Sequence, residues 1–286
     1  MVLLFMQLLK RDNFYYLGHT FRDGKKVSYK EKYIGIKIPD DIVEIKEEFL
    51  RNCLSEAVFS KLKHIKENYN KEWHNYPDSI KKKMLLDFSI EFTYNTNRIE
   101  GSTITFEETE ELLKRKISPH KPIDDVKETL NNSKIFFEIF ESNQEFSSDL
   151  LKQWHCKLFC DTKNDIAGKY REYRVKVGKY IAPDWQDVPQ LMADFFRWYN
   201  ENKDKINPVE LSARAHYRFE KIHPFGDGNG RIGRLIITYI LQKNNYPLLT
   251  IEYKKRKSYY KALGQLETKF MYYFFRRYLN VHKGYL

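Results

Sequence analysis

The chain has 286 residues, of which 42% are hydrophobic and 16% are aromatic, and its formal net charge is +11 at pH 7. This composition supports a packed core, and the length suits one large domain plus a small appendage. The positive charge favours anionic partners: nucleotides, nucleic acids or acidic proteins. Three cysteines exclude a disulfide framework and predict a reduced, cytoplasmic protein, and no segment is long and apolar enough to span a membrane.

Residues 1–78 predict a small appendage, a β-hairpin followed by a helical segment. Residues 14–38 are rich in aromatic and β-branched residues on either side of an Asp23–Gly24 turn, and residues 42–74 carry an apolar stripe at helical spacing. The hairpin also carries five basic residues among its aromatics: Arg22, Lys25, Lys26, Lys30 and Lys32. They indicate either a contact for a partner or nucleic acid, or an ordinary solvated surface.

Residues 79–286 predict a mostly helical core. Apolar residues recur at helical spacing in four segments before the most informative stretch of the chain: 79–99, 123–142, 147–160 and 208–222. Gly101 is placed to end the first of these helices, and Thr105 with Glu108 forms a capping box for a further helix. Residues 173–181 predict a short strand pair, and Asp187 is placed to cap the helix that follows it.

Residues 223–234 (HPFGDGNGRIGR) connect helix 208–222 to a second apolar helix at 231–243. Pro224 disfavours helix at the preceding residue, and the glycines permit a tight loop. Backbone N–H groups at the start of the second helix form an anion site, at Gly228, Asn229 and Gly230. Arg231 and Arg234 lie on one face of its first turn, where the helix dipole disfavours cations, so phosphates are their natural partners.

Two more residues of this loop suit phosphate chemistry. Asp227 is a hard oxygen ligand for Mg²⁺ shared with substrate phosphates, and His223 can take up a proton near neutral pH. The pattern G-x-G-x-x-G at 228–233 does not indicate a dinucleotide fold, because a helix and not a strand precedes it.

The stretch resembles the signature of the Fic family, H-x-F-x-[DE]-G-N-G-R-x-x-R, at every position, and the resemblance covers roughly residues 80–280. Members transfer AMP from ATP to a protein hydroxyl. The resemblance implies that His223 deprotonates this hydroxyl, that Phe225 holds the loop in the core and that Asp227 binds Mg²⁺. It implies that six residues bind ATP, the last two through its β- and γ-phosphates: Asp227, Gly228, Asn229, Gly230, Arg231 and Arg234.

Three other segments resemble Fic elements. Thr96–Gly101 (TNRIEG) is similar to the inhibitory pattern [ST]-x-x-x-E-[GN], which implies that Glu100, on an inhibitory helix near 84–100, pairs with Arg234. Residues 173–181 resemble the flap that holds the target segment by strand-like pairing, with Val177 against ATP. Tyr259 resembles a residue near the adenine; many relatives carry Asn eight residues later, where this chain has Glu267, so a strict preference for ATP stays open.

We therefore expect a mainly α fold: a Fic-type helical core at 79–286 with a small β-hairpin flap, preceded by the hairpin and helical appendage at 1–78. The expected function is Mg²⁺-dependent transfer of AMP from ATP to Ser, Thr or Tyr of an unidentified protein target, which can be the protein itself, with autoinhibition by Glu100. Two alternatives are open: hydrolytic removal of AMP, with Glu100 orienting water, and nucleic-acid binding through the hairpin. Phosphate transfer is less favoured, because phosphate-transferring relatives carry a lysine in place of Gly230.

Overall fold

A computed structural model of the chain describes residues 2–23, 26–54, 58–178 and 180–286. The described helices and strands confirm the predicted mainly α fold. In chain order they are β1 (Val2–Arg11), β2 (Phe14–Asp23), β3 (Lys26–Gly35), α1 (Ile42–Leu54), α2 (Ser60–Asn75), α3 (Asp78–Ile99), α4 (Phe106–Glu110), α5 (Ile123–Glu141), α6 (Ser148–Phe159), β4 (Lys176–Val177), β5 (Tyr180–Ile181), α7 (Val188–Asn202), α8 (Pro208–Ile222), α9 (Asn229–Lys243), α10 (Arg256–Leu263) and α11 (Glu267–Val281).

The residues divide into two compact units, Met1–Asn68 with Phe274–Leu286, and Tyr69–Tyr273. This division falls inside α2 and α11, whereas the boundary predicted near residue 78 falls between α2 and α3. The 223–234 loop and all the predicted site residues lie in the second, larger unit.

The smaller unit contains an antiparallel sheet in the order β1-β2-β3. The predicted hairpin is present as β2 and β3, and the apolar start of the chain adds β1 as a third strand that the sequence reasoning missed. Leu17 of β2 is buried against Phe49 and Cys53 of α1, so one face of the sheet is covered by a helix. The predicted helical segment 42–74 forms two helices, α1 and α2; residues 55–57, and Gly24 and Lys25 of the predicted turn, lie outside the described residues.

Helices α8 and α9 pack against each other in the larger unit, and α9 also contacts α3, α5 and α6. A helix surrounded by others must be apolar on most of its faces, and α9 is: Ile232, Leu235 and Ile236 are all fully buried. The loop that joins α8 to α9 is therefore anchored at both ends in the core.

The start of α7 corrects one prediction. Asp187 has helical backbone angles and its side chain makes no capping hydrogen bond, because it is the last residue of a 3₁₀ turn, Trp185–Asp187, that precedes the helix. A capping residue needs a non-helical backbone, and Asp184 supplies it: its carboxylate accepts a hydrogen bond from the Gln186 N–H. None of the helices in the described ranges is long and apolar enough to cross a membrane.

Candidate active site

The loop between α8 and α9 contains two residues with positive φ. His223 ends α8 in the left-handed region, with φ 52° and ψ 60°, a conformation uncommon for non-glycine residues, although His is among those that adopt it more often. Gly228 precedes α9 with φ 74°, and a Cβ atom there would lie 2.5 Å from Cε2 of Phe159. Both the backbone angle and the close approach require glycine at this position.

The loop is closed by the side chain of Asn229. Its Oδ1 accepts a hydrogen bond from the Phe225 N–H at 2.9 Å, and its Nδ2 donates one to the Phe225 carbonyl at 2.8 Å. Phe225 is fully buried, as predicted for the residue that holds the loop in the core. The side chain of Asn229 therefore fixes the loop, which leaves only its backbone N–H for a ligand.

His155 of α6 supports the same loop and was missed by the sequence reasoning. Its ring stacks on Phe225, with centroids 3.9 Å apart, and its Nδ1 accepts a hydrogen bond from the Gly168 N–H at 2.9 Å. Nε2 must then carry the proton, which it donates to the Asp227 carbonyl at 3.0 Å. Burial lowers the pKa of His155 to about 4, so the ring is neutral at pH 7.

The predicted anion cradle is Gly228, Asn229 and Gly230, but the Gly228 N–H already donates to Oδ1 of Asp227 at 2.6 Å, so the N–H groups available to an anion begin at Asn229. The backbone N–H groups of Asn229, Gly230 and Arg231 open the helix and have no carbonyl of a preceding turn to bind; the hydrogen bond from Ile232 to the Gly228 carbonyl is the first of the helix. A Cβ atom on Gly230 would collide with Oε1 of Glu100. A larger residue at position 230 would therefore have to displace the Glu100 carboxylate from its present place.

Arg231 and Asp227 belong to a network of four charged side chains. Arg231 is buried and donates to Oε2 of Glu128, and its Nη2 lies 3.8 Å from Oδ1 of Asp227. Lys163 lies 2.7 Å from Oδ2 of Asp227 and 3.1 Å from Oε1 of Glu128. Burial alone would raise the pKa of Asp227, but Lys163 and Arg231 outweigh it and hold the pKa below its usual range.

Arg234 is bound to the end of α3, as the resemblance implied. Its Nη2 donates to Oε1 of Glu100 at 2.6 Å and to the Thr96 carbonyl at 3.1 Å, and its Nε donates to the Thr96 hydroxyl at 2.6 Å. The guanidinium is 2% exposed. Although burial opposes its charge, Glu100 raises the pKa of Arg234 above its ordinary value. Thr96 and Glu100, two of the three fixed positions of the TNRIEG pattern, thus bind one buried cation.

His223 lies beside a largely buried carboxylate. Its Nδ1 is 3.8 Å from Oε2 of Glu220, whose side chain is 12% exposed. Burial lowers the pKa of His223, and a hydrogen bond to the Glu220 backbone opposes this shift. Burial raises the pKa of Glu220 to about 7. The imidazole is therefore mainly neutral at pH 7 and able to accept a proton.

Arg171 joins the flap to the 223–234 loop, a role that no sequence motif indicated. Its buried guanidinium donates to three carbonyls: His223 (2.9 Å), Tyr173 (2.9 Å) and Pro183 (2.7 Å). Between these two flap ends, β4 pairs with β5, and Val177 is exposed opposite Tyr180. Lys179 at the flap tip lies outside the described residues. One side chain thus fixes the position of both flap ends.

Tyr259, which the resemblance placed near the adenine, lies in the protein interior. Tyr259 is 1% exposed, and its hydroxyl lies 2.8 Å from Nε2 of His216, so its ring is not accessible to a nucleobase in this structure. The next residue, Tyr260, is exposed, and its hydroxyl lies 3.4 Å from the Ile99 carbonyl, next to Glu100.

Glu267, which stands where many relatives carry Asn, forms ion pairs with two arginines. It lies 2.9 Å from Nη1 of Arg214 and 3.2 Å from Nε of Arg218, so it connects the start of α11 to α8. The carboxylate is therefore committed to two arginines of the protein.

The chain matches known proteins over the part that contains this site. Residues 145–241 match the model of the Fic/DOC family. The chain is 28% identical over 190 residues to protein adenylyltransferase Fic of Nematostella vectensis, covering 64% of this chain and 44% of that protein. It is 33% identical over 175 residues to the protein of the same name from Drosophila ananassae, covering 59% of this chain and 35% of that protein. The chain thus spans less than half the length of these relatives.

A solved structure confirms the fold. Fic-1 from C. elegans superposes on 87% of this chain with a TM-score of 0.70 at 22% identity, and 78% of that chain is covered. The segment matched by the family model contains α6, the flap, α7, α8, the 223–234 loop and most of α9. Residues 145–241 therefore match the Fic/DOC family, and the matched segment includes the 223–234 loop.

Proposed function

We propose that the chain transfers AMP from ATP to a hydroxyl group of a protein. The observation that carries this proposal is that the 223–234 loop brings together the groups that this reaction needs. They are the neutral imidazole of His223, the ionised carboxylate of Asp227, the N–H groups that open α9, and the buried guanidiniums of Arg231 and Arg234. The names of the relatives, protein adenylyltransferase Fic, support the same reaction.

The residues would act on the nucleotide as in phosphoryl transfer generally, by positioning and by neutralising charge. The N–H groups that open α9 would hold the phosphates, and Arg231 and Arg234 would bind the β- and γ-phosphates. His223 would take the proton of the attacking hydroxyl while its oxygen forms a bond to the α-phosphorus. The bond from that phosphorus to the bridging oxygen breaks, and pyrophosphate leaves with the electron pair.

Asp227 fits the predicted Mg²⁺ ligand. Its carboxylate is ionised and 43% exposed, and it lies beside the start of α9; a single carboxylate together with substrate phosphates is a usual environment for Mg²⁺. The metal would supply charge neutralisation for the phosphates.

We also propose that Glu100 inhibits transfer. While its carboxylate lies 2.6 Å from Nη2 of Arg234, this guanidinium is not available to a γ-phosphate. ATP must displace the pair or bind with its α-phosphate out of line, and a small misplacement lowers the rate by orders of magnitude.

Removal of AMP by water is a second candidate reaction at this site. Only Oε1 of Glu100 pairs with Arg234 among the contacts of the described residues, and the side chain is 30% exposed. The other carboxylate oxygen could then orient a water molecule towards the phosphorus. This reaction would need Glu100, whereas transfer would be inhibited by it.

Labelled ATP tests these proposals. Wild type and Glu100→Gly are incubated with Mg²⁺ and ATP labelled at either the α- or the γ-phosphate, alone and with cell extract as acceptor. We expect protein-bound label from the α position only, and more of it with the variant. Label from the γ position would indicate phosphate transfer, and no label from either position in the folded variant would contradict transfer. Premodified protein that loses label faster with wild type than with Glu100→Gly would support removal.

A further inference from the structure

Lys163, in the connection between α6 and the flap, lies at the proposed metal ligand. Its Nζ is 2.7 Å from Oδ2 of Asp227 and 3.1 Å from Oε1 of Glu128. The same ammonium group packs over the ring of Phe159, 4.8 Å from its centroid. Two carboxylates and an aromatic face therefore hold this cation in one place.

Glu128 of α5 is the buried member of this arrangement. Its side chain is 10% exposed, Oε2 accepts from Arg231, and Oε1 accepts from Lys163 and from the Thr162 hydroxyl at 3.0 Å. Burial would raise the pKa of Glu128, but Arg231 and Lys163 outweigh this effect, so the pKa lies below its usual value and the group is ionised. Because Glu128 has no other role in the proposed reaction, its charge serves to hold these two cations.

The two oxygens of Asp227 have different partners. Oδ1 accepts the Gly228 N–H at 2.6 Å and faces Arg231, so the loop itself occupies it. Oδ2 is bound by Lys163, and it is the oxygen that the loop leaves for a metal ion. An ammonium group and a divalent ion cannot share one oxygen at short range, because their charges repel each other.

We propose that Lys163 is a positioning residue that takes the metal's place on Asp227: it holds the carboxylate in the absence of metal and must leave Oδ2 when a divalent ion binds. The inference rests on the proposed function in that it takes Asp227 as the metal ligand. Glu128 makes the exchange feasible, since Lys163 keeps one carboxylate partner after it leaves Asp227. Its side chain is 40% exposed, which allows the movement. Metal affinity is then set by competition with a residue of the chain itself.

The test measures metal binding directly. The full chain is titrated with Mn²⁺, alone and with α,β-methylene-ATP, and the free ion is followed by electron paramagnetic resonance. Lys163→Gln should lower the apparent Kd for Mn²⁺ by roughly 2- to 5-fold, the effect of removing one partly exposed ion pair. Lys163→Arg, which retains the charge, should bind Mn²⁺ as wild type does.

Two further variants locate the effect. Lys157→Gln is the matched control, since Lys157 also connects the α6 region to α5, through Glu138 at 2.6 Å, but lies away from Asp227; it should leave the Kd unchanged. Asp227→Asn should abolish the binding. Loss of binding in Asp227→Asn together with an unchanged or raised Kd in Lys163→Gln would overturn the role of Lys163 but leave Asp227 as the metal ligand. Unchanged binding in Asp227→Asn would overturn both the inference and the metal role of Asp227. If Lys163→Gln does not fold, Lys163→Met gives the same comparison.

Discussion

Glu100 and a phosphate group need the same guanidinium, that of Arg234. Because this cation is 2% exposed and bound by Glu100 at 2.6 Å, a ligand must replace a charge-assisted hydrogen bond that is well shielded from water. We expect Glu100→Gly to bind ATP at least about tenfold more tightly, equivalent to about 1.4 kcal/mol, as measured by calorimetry with Mg²⁺.

A matched control and a second substitution test whether the gain comes from Arg234. Glu141→Gly replaces an exposed glutamate that is likewise at the end of a helix, α5, and should leave ATP binding unchanged. Adding Arg234→Ala to Glu100→Gly should cancel the gain, since the freed partner is then missing. A gain that survives in the double variant would contradict competition at this guanidinium.

His223 supports a separate prediction at the residue scale. Its imidazole is mainly neutral at pH 7 because burial lowers its pKa, so it can act as a base. In the Glu100→Gly background, His223→Ala should reduce AMP transfer roughly 10²- to 10⁴-fold and leave ATP affinity nearly unchanged. The measurement compares transfer of α-label with calorimetric binding. Transfer at the parental rate would remove His223 from the role of base.

At the scale of elements, the flap depends on Arg171. Replacing it by Gln removes donors from the carbonyls of His223, Tyr173 and Pro183, and each carbonyl left without a partner costs about 1–3 kcal/mol. We expect faster amide exchange in the flap, for example at Ala182, whose N–H donates to the Val175 carbonyl at 3.3 Å. We also expect the substitution to raise the KM for the protein acceptor more than it raises the KM for ATP.

Arg174→Gln is the control for this experiment. Arg174 belongs to the same flap, but its side chain is 82% exposed and pairs with Asp184 at 3.3 Å, so its loss should change little. Equal effects of the two substitutions would mean that the flap is positioned by something other than the Arg171 guanidinium.

Helices with long apolar periodicity could be predicted from the sequence, and so could features decided within a few residues. Examples are α8 and α9, the capping box of Thr105 and Glu108, and the positive φ of Gly101. The strand β1 could not, because an apolar run without alternation is consistent with a strand or a buried helix. The segment forms a strand by pairing with β2, and this pairing cannot be inferred from the local sequence.

The supporting residues of the site could not be predicted for a related reason. Lys163 lies 64 residues from its partner Asp227, Arg171 lies 52 from His223, and Glu128 lies 103 from Arg231. No local sequence pattern predicts contacts between residues this far apart in the chain. Tyr259 and Tyr260 illustrate the finer limit: adjacent helical residues point about 100° apart, and only packing decides which one is buried.

At the scale of the whole molecule, the net charge of +11 keeps nucleic-acid binding as an alternative to be measured. Two cations of the sheet have acidic partners: Arg11 pairs with Glu31 at 2.9 Å, and Lys32 with Glu48 at 3.1 Å. Of the five basic residues of the predicted hairpin, Lys32 is thus paired within the protein, and the salt dependence of duplex affinity measures how many phosphates the remaining cations contact. A steep fall in affinity between about 50 and 200 mM salt, as for several phosphate contacts, would support a nucleic-acid surface.

Global stability should depend on the proton of Glu220. Burial raises its pKa from 4.5 to about 7, and its Oε1 has no hydrogen-bond partner in the part of the chain that the structure describes. An acid with a raised pKa contributes stability that is fully present below its unfolded pKa and is lost as the pH rises through the folded pKa. Between pH 5 and pH 8 this loss amounts to at most about 2–3 kcal/mol of the free energy of unfolding.

Glu220→Gln removes this titration while keeping the shape of the side chain, so the variant should gain stability over wild type as the pH rises from 5 to 8. His155, His216 and His223 have lowered pKa values through burial and produce the opposite slope, since their contribution is lost as the pH falls below about 6.5. They are present in both proteins, so the difference between the two urea-unfolding profiles reports Glu220 together with its coupling to His223, 3.8 Å away. The exposed Glu201→Gln should give a profile parallel to wild type. A Glu220→Gln profile that is also parallel to wild type would mean that Glu220 is already ionised in the folded protein, with the charge of Arg234 compensating its burial.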